Sequence, residues 1–181
     1  VYGDQTESEP VTVTYNVTQN DADRTSLKPG KQVKVDDPAN LTEPEKGEVK
    51  NAITTANPTA PIKSITVNDD GSANVTFNDD SKKTVPSNVV QTDKSKYTVA
   101  AGQPVNLTHG KQVQKGDSLD SSAVTLTDAK GQPVSLPDGA KVVWTEAPDT
   151  NEVGNGKTGQ AKVVYGDQTE SEPVTVTYNV T

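Results

Sequence analysis

Residues Val164–Thr181 read VYGDQTESEPVTVTYNVT, and Val1–Thr18 spell the same eighteen residues without a change. The second half of this stretch decides the fold. Val174, Val176, Tyr178 and Val180 alternate with Thr175, Thr177, Asn179 and Thr181. That is the period-two pattern of a strand with one apolar face. Such a strand is expected to close a domain, so Val1–Thr18 reads as the closing strand of a preceding unit. The copies are offset by 163 residues, which makes Gln19–Thr181 one full period. Self-similarity at a fixed spacing marks a tandem array. A period this long holds one or two whole domains rather than a single solenoid turn. Complete identity points to recent duplication in a protein whose copy number sets its length. A surface array or stalk suits that better than an enzyme does.

Upstream of the closing strand, residues 92–181 carry only strand and turn signals. Strands are expected at Lys96–Val99, Val105–Leu107, Gln112-Val113, Ala123–Leu126, Lys141–Trp144, Ala161–Tyr165 and Val174–Val180. Gly131, Pro137-Asp138-Gly139 and Gly154–Gly159 read as turns between them. Short strands at this density suggest a Greek-key β-sandwich. Trp144, the only tryptophan, is its expected core anchor.

Residues 19–91 read differently. Asp21–Lys28 is polar and reads as a linker ending in the Pro29-Gly30 turn, and Gln32–Val35 as a short strand. Thr42-Glu43-Pro44-Glu45 is a capping box, and Val49, Ala52, Ile53 and Ala56 form an apolar stripe at helical spacing. One helix is therefore expected near Glu43–Ala56, ended by Asn57-Pro58. Ile65 and Val67, then Ala73, Val75 and Phe77, then Val85 mark a three-strand meander, with turns at Asn68–Ser72 and Asn78–Lys82. The expected unit is a small α+β domain, one helix on a sheet of three or four strands.

Composition bounds the function. Apolar residues make up 30% and aromatics 4%, with mean hydropathy -0.71, so two lean cores are affordable and one large core is not. Twenty-five acidic against seventeen basic residues, without a Lys/Arg cluster, argue against a nucleic-acid partner. No apolar run is long enough to insert into a membrane. The chain has no cysteine, so neither disulfides nor thiolate metal sites hold it together. Asn-x-Thr triplets begin at Asn16, Asn40, Asn74, Asn106 and Asn179, as an Asn- and Thr-rich strand protein produces by chance.

The segments LPDGAKVVWTEAPDT (Leu136–Thr150) and AKVVYGDQTESEPVTVTYNV (Ala161–Val180) resemble the Rib/alpha-like repeat of Gram-positive surface proteins. That family has a Leu-Pro-x-Gly segment before a Trp-bearing strand, a Pro-Asp-Thr turn, and a Val-rich final strand after a Tyr-Pro-Asp-Gly-Ser turn. Here the Tyr turn is Tyr165-Gly166-Asp167-Gln168 and lacks the proline. The resemblance covers residues 92–181. The LTEPEKGEVKNAITTANP stretch is similar to spacer modules that alternate with such repeats. The resemblance implies immunoglobulin-like sandwiches strung along a wall-anchored adhesin at the bacterial surface, anchored through a part outside residues 1–181. The partners it implies are adjacent repeats of the same chain. A repeat that itself weakly grips host mucin, glycan or matrix is the alternative.

Candidate chemistry is sparse. His109, the only histidine, sits in turn-like sequence without a nucleophile motif beside it. Asn155-Gly156-Lys157-Thr158 ends like a phosphate loop but lacks the first glycine and the following helix. The Asp pairs at 36–37, 69–70 and 79–80 do not continue with the alternating ligand spacing of a calcium loop. A Lys–Asn isopeptide bond is known in bacterial surface sandwiches, but the resembled repeat does not suggest one here. No catalytic residue, cofactor site or metal site is expected, and no ligand-binding residue is legible.

Overall fold

The computed structural model describes residues 1–181 and is mainly β. The chain runs α1 (Asp21–Arg24), β1 (Val33–Val35), α2 (Glu43–Ala56), β2 (Ile62–Val67), β3 (Ala73–Phe77), β4 (Lys82–Val85) and β5 (Val89–Gln91). It continues through α3 (Asp93–Lys96), β6 (Tyr97–Ala101), β7 (Val105–Leu107) and β8 (Ser118–Leu119). A 3-10 turn at Ser121–Ala123 leads to β9 (Val124–Asp128), β10 (Pro133–Val134), β11 (Lys141–Trp144), β12 (Gly154–Val164) and β13 (Val174–Val180).

Two separate apolar clusters form, as the lean composition requires. The first gathers eleven buried residues between Ala22 and Val85. Its floor is the antiparallel sheet β2-β3-β4, whose Ala73, Val75 and Phe77 are fully buried. α2 lies across it with Val49 and Ile53 turned inward. The helix starts where the capping box demands. The Glu45 N–H donates to Thr42 Oγ1, and the Thr42 N–H donates to Glu45 Oε2 at 2.8 Å. It stops at Asn57, whose Nδ2 donates to the carbonyls of Ile53 and Lys28, both at 2.7 Å. Gly30 passes so close to α2 that a Cβ there would sit 2.2 Å from the Ala52 carbonyl oxygen. A parallel pair, β1 with β5, sits beside the meander.

One expectation changes in this unit. Asp21–Lys28 is not simply a linker. Asn20 caps a single turn of helix at Asp21–Arg24, and that turn is docked on the β3–β4 hairpin. The Asp21 N–H donates to Asp79 Oδ2, the Ala22 N–H to Ser81 Oγ, and Lys83 Nζ to the carbonyls of Ala22 and Thr25. Four residues with no apolar stripe give no periodic signal, and the docking contacts lie nearly sixty residues away in sequence.

The second cluster gathers twelve buried residues between Val105 and Val180. One face is the five-stranded sheet β7-β13-β12-β11-β8, the other the three-stranded sheet β10-β9-β6. Trp144 is 1% exposed, and its ring meets Tyr178 edge-on with centroids 5.6 Å apart. The Greek-key expectation holds at the level of two packed sheets, with β7 pairing in parallel with the last strand.

Three details differ from the sequence reading. Gln112-Val113 is not a strand, because turns on both sides, at Thr108–Lys111 and Gln114–Asp117, claim the chain. Gly154–Gly159 is not a turn but the first half of the eleven-residue β12, with a bulge between Gly154 and Lys157. Gly159 is there for space: a Cβ would fall 2.8 Å from the Trp144 ring. Two short strands, β8 and β10, carried too few residues to show a period.

Val1–Thr18 joins no sheet. Of the two partners open to such a strand, an edge of residues 19–91 or the C-terminal sandwich of a neighbouring molecule, the first is not used. Those edge strands are short and polar outward, β2 with the burial pattern of one inward residue in six and β4 with one in four, so they offer the apolar stripe nothing to cover.

Candidate functional site

None of the residues that invited a chemical reading comes together with another. His109 is exposed, and its Nε2 lies 2.9 Å from the Asn151 carbonyl. Lys157 lies on β12 and donates to the carbonyls of Glu152 and Asp149. The Asp pairs serve turns and caps. Asp70 accepts from the Ser72 N–H and hydroxyl, Asp79 from those of Ser81, and Asp69 pairs with Lys46. The buried polar side chains are Asp21, Thr92 and Thr150.

Thr92 marks a place where long-range polar contacts converge, the joint between the two clusters. β5 does not run into a free linker. The Thr92 N–H continues the parallel ladder by donating to the Val35 carbonyl at 2.9 Å. The Thr92 hydroxyl donates to Asp36 Oδ1 at 2.7 Å, and one residue later α3 begins. From the other side the Tyr165–Thr169 turn closes on the same spot. Asp167 Oδ2 accepts the Asp93 N–H at 2.8 Å, and Thr169 Oγ1 accepts the Lys94 N–H at 3.1 Å. Lys34 Nζ, on β1, donates to the Asp167 carbonyl at 2.6 Å. Lys94 Nζ reaches Asp36 Oδ2 at 3.6 Å. Beneath these contacts the Tyr97 and Tyr165 rings stack, 5.8 Å between centroids.

Two groups of the joint have shifted electrostatics, Asp167 and Tyr165. Burial alone would raise the Asp167 carboxyl. Hydrogen bonds from the Thr169 hydroxyl and from the Asp93 and Thr169 N–H groups, with the Lys34 ammonium nearby, hold it below the usual carboxylate range. Burial pushes the Tyr165 phenol up, reinforced by Tyr97, Asp93 and Asp167, and its hydroxyl finds no partner. Sequence reasoning missed this joint because Lys34 and Asp167 stand 133 residues apart. A local signal was present at the turn: outside the short helices, where it also occurs at 23–25 and 93–95, Asp-x-Ser/Thr recurs at 4–6, 70–72, 79–81, 120–122 and 167–169. In each case the carboxylate accepts the N–H two residues on, the mark of an Asx turn.

The joint also fixes direction. The Val164 end of β12 lies beside the Asp167 turn, and its Gly154 end pairs with Val180 of β13. The chain therefore leaves the sandwich at Thr181, about 30 Å of strand away from the joint. In the N-terminal unit, α1 sits on the Asp79–Ser81 turn. The exit at Thr92 bonds Asp36, and the Asp36 N–H in turn reaches Glu45 in the first turn of α2. Lys46 in that turn pairs with Asp69 in the opposite hairpin turn, so entry and exit lie at opposite ends of the meander.

Against known proteins, residues 24–94 are matched by the family model of the atypical Rib domain. The matched segment is similar to that domain. It is less than half of the chain, and it is the helix-bearing unit rather than residues 92–181, on which the resemblance was drawn. The match is to the Rib group that the sequence suggested. A search of curated proteins finds no match. Among solved structures, the chain is similar to a point mutant of the SrpA adhesin from Streptococcus sanguinis. The identity is 30%, over 38% of this chain and 38% of that one, with a TM-score of 0.36. It is also similar to the sialic acid binding region of a Streptococcus sanguinis adhesin, bound to 3'sLn. There the identity is 15%, over 87% of this chain and 47% of that one, with a TM-score of 0.41. The chain thus spans less than half the length of either. No helix is long and apolar enough to cross a membrane.

Proposed function

We propose that this chain is a length-setting segment of a bacterial cell-surface adhesin, a non-enzymatic spacer of two domains, residues 19–91 and 92–181, that holds a distal binding region away from the cell wall. The atypical Rib match supports the surface assignment. The observation that carries the spacer reading is the joint. The Lys34, Asp36, Thr92 and Asp167 contacts replace a linker, and entry and exit stand at opposite ends of each unit. A module that is entered at one end and left at the other adds its length with each copy. Only Gln19 and Asn20 separate the first copy of the closing strand from the docked α1, so successive periods would also follow without slack.

The alternative, a repeat that grips a glycan weakly and gains by multiplicity, has less to stand on. The largest groove, about 730 Å³ between the edge strands β7 and β8, is wide open. Trp144 at its base is buried and offers no ring face to a sugar. Small-angle scattering on one, two and four periods tests the spacer reading. The maximum dimension should grow in proportion to copy number, whereas flexibly joined units would grow nearer the square root. A glycan array bound by the four-period protein, with square-root growth, would favour adhesion instead.

A further inference from the structure

The first copy of the repeated stretch joins no sheet formed by residues 1–181. Val13, Tyr15 and Val17 are 71–85% exposed, and their counterparts Val176, Tyr178 and Val180 are at most 3% exposed. The copies share every side chain, so the slot between β12 and β7 that receives β13 has no chemical means of telling them apart. That slot is specific. Tyr178 puts its ring edge on Trp144, while its hydroxyl exchanges hydrogen bonds with the Asp149 N–H and carbonyl. The main chain pairs antiparallel with β12 and parallel with β7. The first copy also has its leading turn already formed. The Tyr2 N–H donates to the Thr6 carbonyl at 2.8 Å, as Tyr165 does to Thr169 at 2.9 Å. Gln5 and Gln168 take the same left-handed conformation, φ 67° and 72°. Asp4 and Asp167 accept the same two hydrogen bonds from Thr6 and Thr169.

We propose that Val1–Thr18 is a competent closing strand for the sandwich of a second copy of this chain, filling the β13 slot in trans whenever that molecule's own β13 is out of place. In the intact molecule β13 wins because its tether gives it a high effective concentration. Both its edges are paired, so exchange requires the sandwich to open. The donor strand and the slot are different surfaces of one chain. The contact is therefore head-to-tail: two molecules can close it reciprocally, and further copies can extend it.

The test uses three full-length variants. Val176→Asp/Tyr178→Asp disables β13 and leaves the donor intact. Val13→Asp/Tyr15→Asp disables the donor only, and the quadruple variant disables both. Light scattering gives mass, and the fluorescence of Trp144 reports whether the sandwich has closed. The β13-disabled protein should show exposed Trp144 when dilute. With rising concentration it should recover the buried-Trp spectrum together with a mass of two or more chains. The quadruple variant should recover neither, and the donor-disabled one should be a closed monomer throughout. The proposal is overturned if the β13-disabled protein stays open at every concentration, if it closes as a monomer, or if the quadruple variant associates equally well.

Discussion

Tyr178 lies with its ring edge against Trp144, 3% exposed, while Tyr15, the same residue in the first copy of the same eighteen-residue text, is 79% exposed. Identical local sequence thus yields one strand buried in a sheet and one segment with no sheet at all. Only the turn, whose internal hydrogen bonds are short-range, forms in both places. The strand is therefore a tertiary product here, because its stability comes from the core it covers rather than from β propensity.

This pair makes a clean mutational comparison. Tyr178→Ala removes a fully packed aromatic and should cost about 3–5 kcal/mol. Tyr15→Ala in the same chemical text should change stability by less than about 0.5 kcal/mol. Urea unfolding followed through Trp144 measures both. Equal losses would mean that the first copy is packed somewhere in solution.

Asp167 links the joint to pH. Its carboxyl titrates below its unfolded value of 3.8, so it adds stability that is fully present above that value. The contribution disappears as pH falls through the lower, folded value. Asp167→Asn should therefore weaken the protein at pH 7 and then lose less than the parent between pH 5 and pH 2. Urea midpoints across that range check the sign. A variant whose midpoint falls with acid as steeply as the parent's would show that the carboxylate is not coupled to folding.

Tyr165 carries a buried hydroxyl without a partner, against the Tyr97 ring. An unmet polar group costs free energy that a same-shaped apolar ring does not. Tyr165→Phe should leave thermal stability unchanged or raise it, whereas Tyr165→Leu, which also removes the stack, should lower it. Calorimetry on the two variants separates hydroxyl from ring; a large loss in the Phe variant would reveal a partner for the hydroxyl.

Much of the fold was legible because its signals are local. The capping box placed α2 at Glu43–Ala56, the bounds it has, and the alternation at Val174–Val180 placed β13. What escaped depends on distance in sequence. α1 exists because Asp79 and Ser81 receive it, and the glycines of Gly154–Gly159 spell a turn locally but serve a strand because Trp144 needs the room at Gly159. The joint was the least legible part. None of Lys34, Asp36, Thr92 and Asp167 looks unusual alone, and their meeting follows from where β1, β5 and the β12 turn end.

The spacer account rests on that joint being stiff, and a distance distribution across it tests this most directly. The chain has no cysteine, so Lys50→Cys on the exposed face of α2 and Glu152→Cys at the far end of the sandwich accept spin labels cleanly. Pulsed electron–electron resonance on the labelled full chain should give one narrow peak. In a chain that also carries Lys34→Ala and Asp167→Ala the peak should broaden. A broad distribution in the parent, unchanged by those two substitutions, would contradict the account.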